Sequence, residues 1–256
     1  MGKIRILMLG GTTEARSLAQ ALSADNLYDV LLSLAGRTEK PSAQPVPART
    51  GGFGGRQGLA AFLRDGGFDL LIDATHPFAA RISQNAHDAA VDVGIPAFVL
   101  RREQWKAEPG DHWKHVANIP EAIAALGTSP RRVFLAIGRQ EAHCALAAPQ
   151  HFYLIRSVDP VEPPLMLPNA VCILDRGPFE IEREVALLAA HDINVVIAKN
   201  SGGSATYAKI AAARRLGLEV VMVTRAPAPA MQTVATVEEA LAAIAHLFPP
   251  AMKRGV

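Results

Sequence analysis

Short apolar runs alternate with helix-length amphipathic stretches along nearly the whole chain, and this alternation narrows the possible folds most. Ile4–Leu9 is continuous, apolar and bounded by glycines, and it predicts a strand. Further strands are predicted at Val30–Leu34, Leu70–Ile72 and Ala97–Leu100. Between them, Glu14–Ser23 carries Leu18, Ala19 and Leu22 at helical spacing. Leu59, Phe62 and Leu63 fit one face of a helix, and Phe78–Val93 reads as another. Strands separated by helices imply crossover units and a parallel sheet.

The pattern breaks at Arg101–Trp113, a polar stretch containing Pro109-Gly110. This places a boundary between a first domain at 1–100 and a second at 101–256. Alternation resumes with strands at Val133–Ile137, Phe152–Ile155, Val171–Leu174, Val195–Ala198 and Val220–Val223. Helices are expected at Glu180–Ala190, Ala205–Leu216 and Thr236–Leu247. Pro160, Pro163, Pro164 and Pro168 make the stretch between the second and third of these strands a rigid loop. The expected fold class is α/β, with two similar parallel-sheet halves.

With 256 residues, half of them hydrophobic and a fifth charged, the chain is long and apolar enough to build real cores. A net charge of +2 argues against a protein that coats polyanions, so no nucleic-acid partner is expected. No apolar run approaches a membrane span, and the N-terminal apolar stretch is too short for a signal peptide. Cys144 and Cys172 are far apart and show no ligand or disulfide spacing, which suits a cytoplasmic setting.

Chemistry-bearing residues gather where predicted strands end. Gly10-Gly11-Thr12-Thr13 follows the first strand and opens a helix that begins with Glu14 and Arg16. Glycines there allow a tight bend and close ligand approach. A threonine caps the helix, and the helix amides favour an anion such as a cofactor diphosphate. The spacing matches neither G-x-G-x-x-G nor a P-loop, so a purely structural turn is an equal reading. After the second strand, Arg37 and Thr38 stand where an NAD-binding fold carries an acid. A guanidinium there fits a 2′-phosphate and so NADPH, the alternative being a solvated loop arginine.

Thr50–Gly55 is a second glycine cluster, either ligand-ordered or a plain connector. Asp73-Ala74-Thr75-His76-Pro77 sets polar groups at another strand end, with Pro77 expected in the first helical turn. His76 is a candidate cofactor contact or a structural histidine. Lys199-Asn200-Ser201-Gly202-Gly203 repeats the strand, glycine turn, helix order and adds a cation suited to a phosphate or carboxylate. Arg139, Arg156, Arg176 and Arg225 each follow or end a strand. In a parallel sheet they would share one rim, which suits an anionic substrate; pairing with nearby acids is the competing reading for each. His112 and His115 lie in a polar, tryptophan-containing stretch with no further ligand set, so no metal is expected.

In order and spacing, LGGTTEAR (9–16), TGGFGG (50–55), DATHPFA (73–79), GRQE (138–141), RGPF (176–179) and KNSGG (199–203) together resemble the precorrin-6A reductase family of cobalamin biosynthesis. Two loops depart from its pattern: Arg101–Trp105 lacks an expected Arg-Pro, and Arg225-Ala226-Pro227 delays a proline. The resemblance implies two Rossmann-like domains with cofactor and substrate in the cleft between them. It also implies hydride transfer from NADPH to the precorrin-6A macrocycle, giving precorrin-6B. On this reading residues 10–14, Arg16, Arg37, Thr38, His76 and 199–203 hold the cofactor, and Arg139 and Arg176 meet substrate carboxylates. No catalytic acid is assigned. A reductase of another anionic substrate and a non-catalytic NADPH sensor are the alternatives.

Overall fold

The computed structural model describes residues 2–36 and 42–249. The first strands are β1 (Ile4–Leu9), β2 (Tyr28–Leu34), β3 (Ala48–Thr50), β4 (Leu70–Asp73) and β5 (Ala97–Leu100). They are followed by β6 (His112–Val116), β7 (Arg132–Ala136), β8 (Phe152–Ser157), β9 (Ala170–Leu174), β10 (Val195–Lys199), β11 (Glu219–Val223) and β12 (Gln232–Val234). The helices are α1 (Thr13–Ser23), α2 (Arg56–Asp65), α3 (Ala80–Val93), α4 (Ile119–Ala124), α5 (Ile181–Ala190), α6 (Ala208–Arg215) and α7 (Val237–Leu247), with a 3-10 helix at Arg139–Ala147. None of the described helices is long and apolar enough to cross a membrane.

The chain forms two compact units. One contains the described residues up to Arg102 and those from Pro227 on; the other is Glu103–Ala226. The first unit's sheet has the order β12-β5-β4-β1-β2-β3, and the second unit's has β6-β11-β10-β7-β8-β9. Every pairing is parallel. Numbered from β1 in the first sheet and from β7 in the second, each sheet runs 3-2-1-4-5 and then adds a sixth strand, as in a Rossmann-like doubly wound domain.

The sixth strands are exchanged. β6 follows β5 in sequence but pairs with β11; β12 follows β11 but pairs with β5. The second domain expected at 101–256 therefore loses residues 227 onward to the first unit. The expected loop through His112 and His115 is also strand. Those two residues lie three apart on an extended strand and so point to opposite faces, which rules out shared metal ligation between them. β3, β12 and α4 were not foreseen either.

Burial explains the first unit. Ile6 and Met8 face Leu18, Ala19 and Leu22 of α1 and Ala240 and Ile244 of α7. Leu7 and Leu9 face Leu59 and Leu63 of α2 and Ala86 and Ala89 of α3 on the other side. A strand covered on both faces needs an unbroken apolar run, which is what Ile6–Leu9 supplies. In the second unit, Phe134, Val196, Ala198 and Met222 pack with Leu188 of α5 and Ile210 of α6. The polar segment entering this unit is held by Arg214, whose Nε donates to Asp111 Oδ1 at 3.0 Å and whose Nη1 lies 2.9 Å from Glu108 Oε2.

Candidate functional site

In the first unit, β1 has β2 on one side and β4 on the other, so the connections leaving them diverge at the carboxyl ends. Open α/β sheets bind ligands at such a point. Gly10 N donates to Ser33 O at 2.9 Å, and a Cβ on Gly10 would come within 2.6 Å of Leu32 Cδ1. Gly11 has φ +121°, and a Cβ there would meet nothing within 4 Å, so open space lies over the turn. Thr12 Oγ1 caps α1, accepting from Ala15 N at 3.1 Å, and donates to Ala74 O at 2.9 Å. One hydroxyl thus starts the helix and ties the β1 turn to the β4 turn. Thr13 is the first helical residue and Arg16 is exposed in the next positions. Glu14 would repel a phosphate, but its Oε2 lies 2.6 Å from Arg102 Nη1.

At the end of β4, Asp73 is buried. Its Oδ1 accepts from Thr75 N at 3.0 Å and Thr75 Oγ1 at 2.6 Å, and its Oδ2 has no partner among the described residues. His76 is exposed and its Nδ1 accepts from Phe78 N at 3.3 Å, which leaves Nε2 to carry the ring proton. Pro77 lies in the turn before α3 and not in its first turn, because the chain makes a separate bend at 77–78.

Arg37 and Thr38 lie outside the described residues. Beside the end of β2, however, the structure brings forward a residue that sequence reasoning passed over. Arg49 of β3 pairs in register with Ser33, and its Nη1 donates to Ser33 Oγ at 2.8 Å. It also donates to the carbonyls of Gly51 and Gly52, and its guanidinium carbon lies 4.1 Å from the centre of the Phe53 ring. The only sequence signal was an arginine immediately before a glycine cluster.

The second unit repeats the topology with other side chains. After β7, Gly138 leads into the 3-10 helix that contains Arg139 and Glu141. Lys199, at the end of β10, is ion-paired with Glu141, so the first and fourth strands of this sheet are joined through charges. Asn200 is buried; its Oδ1 accepts from Trp105 N at 2.8 Å and its Nδ2 donates to Trp105 O at 3.0 Å. Gly202 has φ +66°, and a Cβ there would stand 1.9 Å from Glu103 O. Trp105 Nε1 donates to Gly203 O at 2.8 Å, and Ser201 is buried. Much of this loop therefore serves to hold the segment at Glu103–Trp105. A cavity of about 480 Å³ opens beside it, lined in part by Trp105, Phe179, Ser204 and Tyr207. Burial pushes the Tyr207 phenol up.

The arginines at the strand ends do not behave alike. Arg156 is buried, with Nη2 2.9 Å from Glu184 Oε2, a second bond to Oε1, and its guanidinium 3.7 Å from the centre of the Phe179 ring. It is a structural ion pair and leaves the rim. Arg139 is half-buried and Arg176 is exposed, both at the carboxyl end of the sheet. Arg225 Nε donates to Asn200 O at 2.7 Å, bracing the same loop. No group of three or more His, Cys, Asp or Glu suited to a metal occurs among the described residues.

The family described as Precorrin-6x reductase CbiJ/CobK matches residues 5–245, which takes in both units. This chain belongs to the precorrin-6x reductase family. Among its relatives, a precorrin-6A reductase of a Sinorhizobium species is 59% identical, covering 98% of this chain and 96% of its own length. One from Rhodobacter capsulatus is 49% identical, covering 91% and 93%. A solved structure titled CobK precorrin-6A reductase superposes with a TM-score of 0.92 at 46% identity over 100% of both chains. The fold is thus that of a precorrin-6x reductase, and the chain is an oxidoreductase that requires a nicotinamide-type donor. In this family member the Gly10–Thr12 turn fits a diphosphate: it has amides at a capped helix start, no Cβ at Gly11 and open space above it.

Proposed function

We propose that this chain reduces precorrin-6A to precorrin-6B with NADPH as the donor. The observation that carries the reading is that the family likeness runs through both units, including both strand-end turns. When bound, the nicotinamide supplies the hydride. The protein's part is to bind and orient. Gly11, Thr12 and Thr13 offer backbone amides and the dipole of α1 to the diphosphate. Gly10, whose own amide is held by Ser33 O, shapes the bend beneath them, and Arg102 neutralises Glu14 nearby. Arg16 adds a cation on the same helix. Arg37 and Thr38 are assigned to the 2′-phosphate, and His76, with a protonated Nε2, to a polar group of the cofactor.

Lys199, Ser201 and Gly203 remain the assignment for the cofactor in the second unit. Asn200 and Gly202 act there by shaping the loop, since their local contacts are to residues 103–105. Arg139 and Arg176 are assigned to the substrate's carboxylates, where bidentate guanidinium pairing gives both affinity and orientation. Lys199, Arg139 and Arg176 each lie at or just beyond the carboxyl end of a parallel strand, which supports the reading.

Purified protein mixed with NADPH and precorrin-6A should consume NADPH and change the visible spectrum of the macrocycle. If neither signal changes while the protein is folded, the reductase reading is wrong. Arg37→Ala should narrow the preference for NADPH over NADH; an unchanged preference removes Arg37 from the site.

A further inference from the structure

We infer that Arg49 is a specificity-determining residue of this enzyme, a preorganised cation that receives the 2′-phosphate of NADPH. The inference rests on the NADPH reading above. In a doubly wound sheet of this order the ribose that carries this phosphate sits beyond the carboxyl end of the second strand. Arg49 is placed there by register, opposite Ser33, the penultimate residue of β2.

Three features set Arg49 apart from an ordinary surface arginine. The first is the lack of an acidic partner among the described residues. Its contacts are a hydroxyl, two carbonyls and two ring faces, with Phe62 at 5.3 Å adding to Phe53. Among the described residues its charge is therefore held in place but not neutralised. The second is geometry. A guanidinium has five N–H bonds. Nη1 uses two, on Ser33 Oγ and Gly51 O, and Nη2 uses one, on Gly52 O. The Nε–H and one Nη2–H are left without an acceptor among the described residues, donors of the kind that guanidinium recognition of phosphate uses. The third is rigidity. Packing on Phe53 and hydrogen bonds to the glycine loop fix the rotamer before any ligand arrives, which lowers the entropy lost on binding.

The alternative is that Arg49 merely braces the Gly51–Phe53 loop, and the two roles are separable. Titration of NADPH and NADH, each against wild type and Arg49→Met, is the test, with thermal melting to verify folding. Loss of a charged hydrogen-bonding partner should weaken NADPH by about tenfold or more. NADH should stay within about twofold. Arg49→Lys keeps the charge without the fork and should show an intermediate preference; it also serves if the Met variant fails to fold. Equal weakening of both cofactors, or an unchanged preference, overturns the assignment while leaving the NADPH reading intact. A wild-type protein with no preference for NADPH overturns the cofactor reading itself, and the assignment with it.

Discussion

Counted from β1 in one sheet and β7 in the other, both run 3-2-1-4-5, yet the turns that leave those strands are built on different principles. In the first unit, Gly10-Gly11-Thr12 passes into a regular helix, and one threonine hydroxyl joins the β1 and β4 ends through neutral hydrogen bonds. In the second, Gly138 passes into a 3-10 helix, and the corresponding strand ends are joined by the Lys199–Glu141 ion pair. The penultimate residue of the second strand differs in the same sense: Ser33 in one unit, the buried Arg156–Glu184 pair in the other. The first unit offers backbone amides and keeps its cations at the margin. The second carries charge on side chains. On the proposed assignment, one topology serves a diphosphate in one copy and substrate carboxylates as well as the cofactor in the other, because the strand order fixes only where a ligand sits.

The comparison breaks most severely if β12, the sixth strand of the first unit's sheet, is removed. A chain ending at Ala226 lacks β12 and α7, so Val234, Ala240 and Ile244 are lost from the first unit's core and the side chains packed against them, Ile6 and Met8 among them, are uncovered. Each large apolar side chain withdrawn from the core costs about 1.5–3 kcal/mol against a domain margin of about 5–15 kcal/mol. The first unit should lose hydrogen-exchange protection and cofactor binding, while β7, β8 and β10 stay protected. Equal loss in both units would show that the two do not fold as separate cores.

Next in size is Glu184→Ala, which leaves the Arg156 guanidinium buried without its acid. The expected cost is about 3–5 kcal/mol by denaturant unfolding, confined to the second unit. Ser33→Ala, at the matching place in the first, should cost about 1 kcal/mol. A similar cost for both would erase the distinction drawn between the two strand ends.

Thr12→Ala removes the cap of α1 and should lower stability by about 1 kcal/mol while weakening NADPH binding. Glu141→Gln, which breaks a partly exposed ion pair, should change stability by less than about 1 kcal/mol. If the order of these two effects is reversed in thermal melts, the neutral link is not the stronger one.

The smallest effect expected is on pH. Burial pushes the Tyr153 phenol up to about 12 and pushes the His151 imidazole down, and both side chains are fully buried in the second unit. A phenol with a raised value stabilises the fold fully below its unfolded value of about 10, and this is lost as pH rises toward 12. Wild type should therefore lose its advantage over Tyr153→Phe across that window. His151 acts in the opposite direction: its share of stability is present above its unfolded value of about 6.5 and is lost as pH falls through its lower folded value. Melting curves of His151→Gln and wild type should converge on acidification.

Local pattern alone determined the α/β class, the parallel strands, the first glycine turn with its threonine cap and the broad division into two halves. These features are readable because each depends on residues close in sequence: an unbroken run such as Ile6–Leu9, or a hydroxyl three residues from the amide it caps. The tertiary structure decided the rest. His112–Val116 is half-exposed, with polar residues on both faces, and gives no periodic signal; only its partner β11 makes it a strand. Gln232–Val234 is three residues long, and nothing local says that it pairs with β5. Arg156 and Arg49 are both arginines of short strands. One is neutralised by Glu184, 28 positions away, while the other, among the described residues, meets only neutral acceptors and aromatic rings. Residue type sets the charge at such positions, but the partners brought there by long-range packing determine whether that charge is neutralised within the fold or left for a ligand.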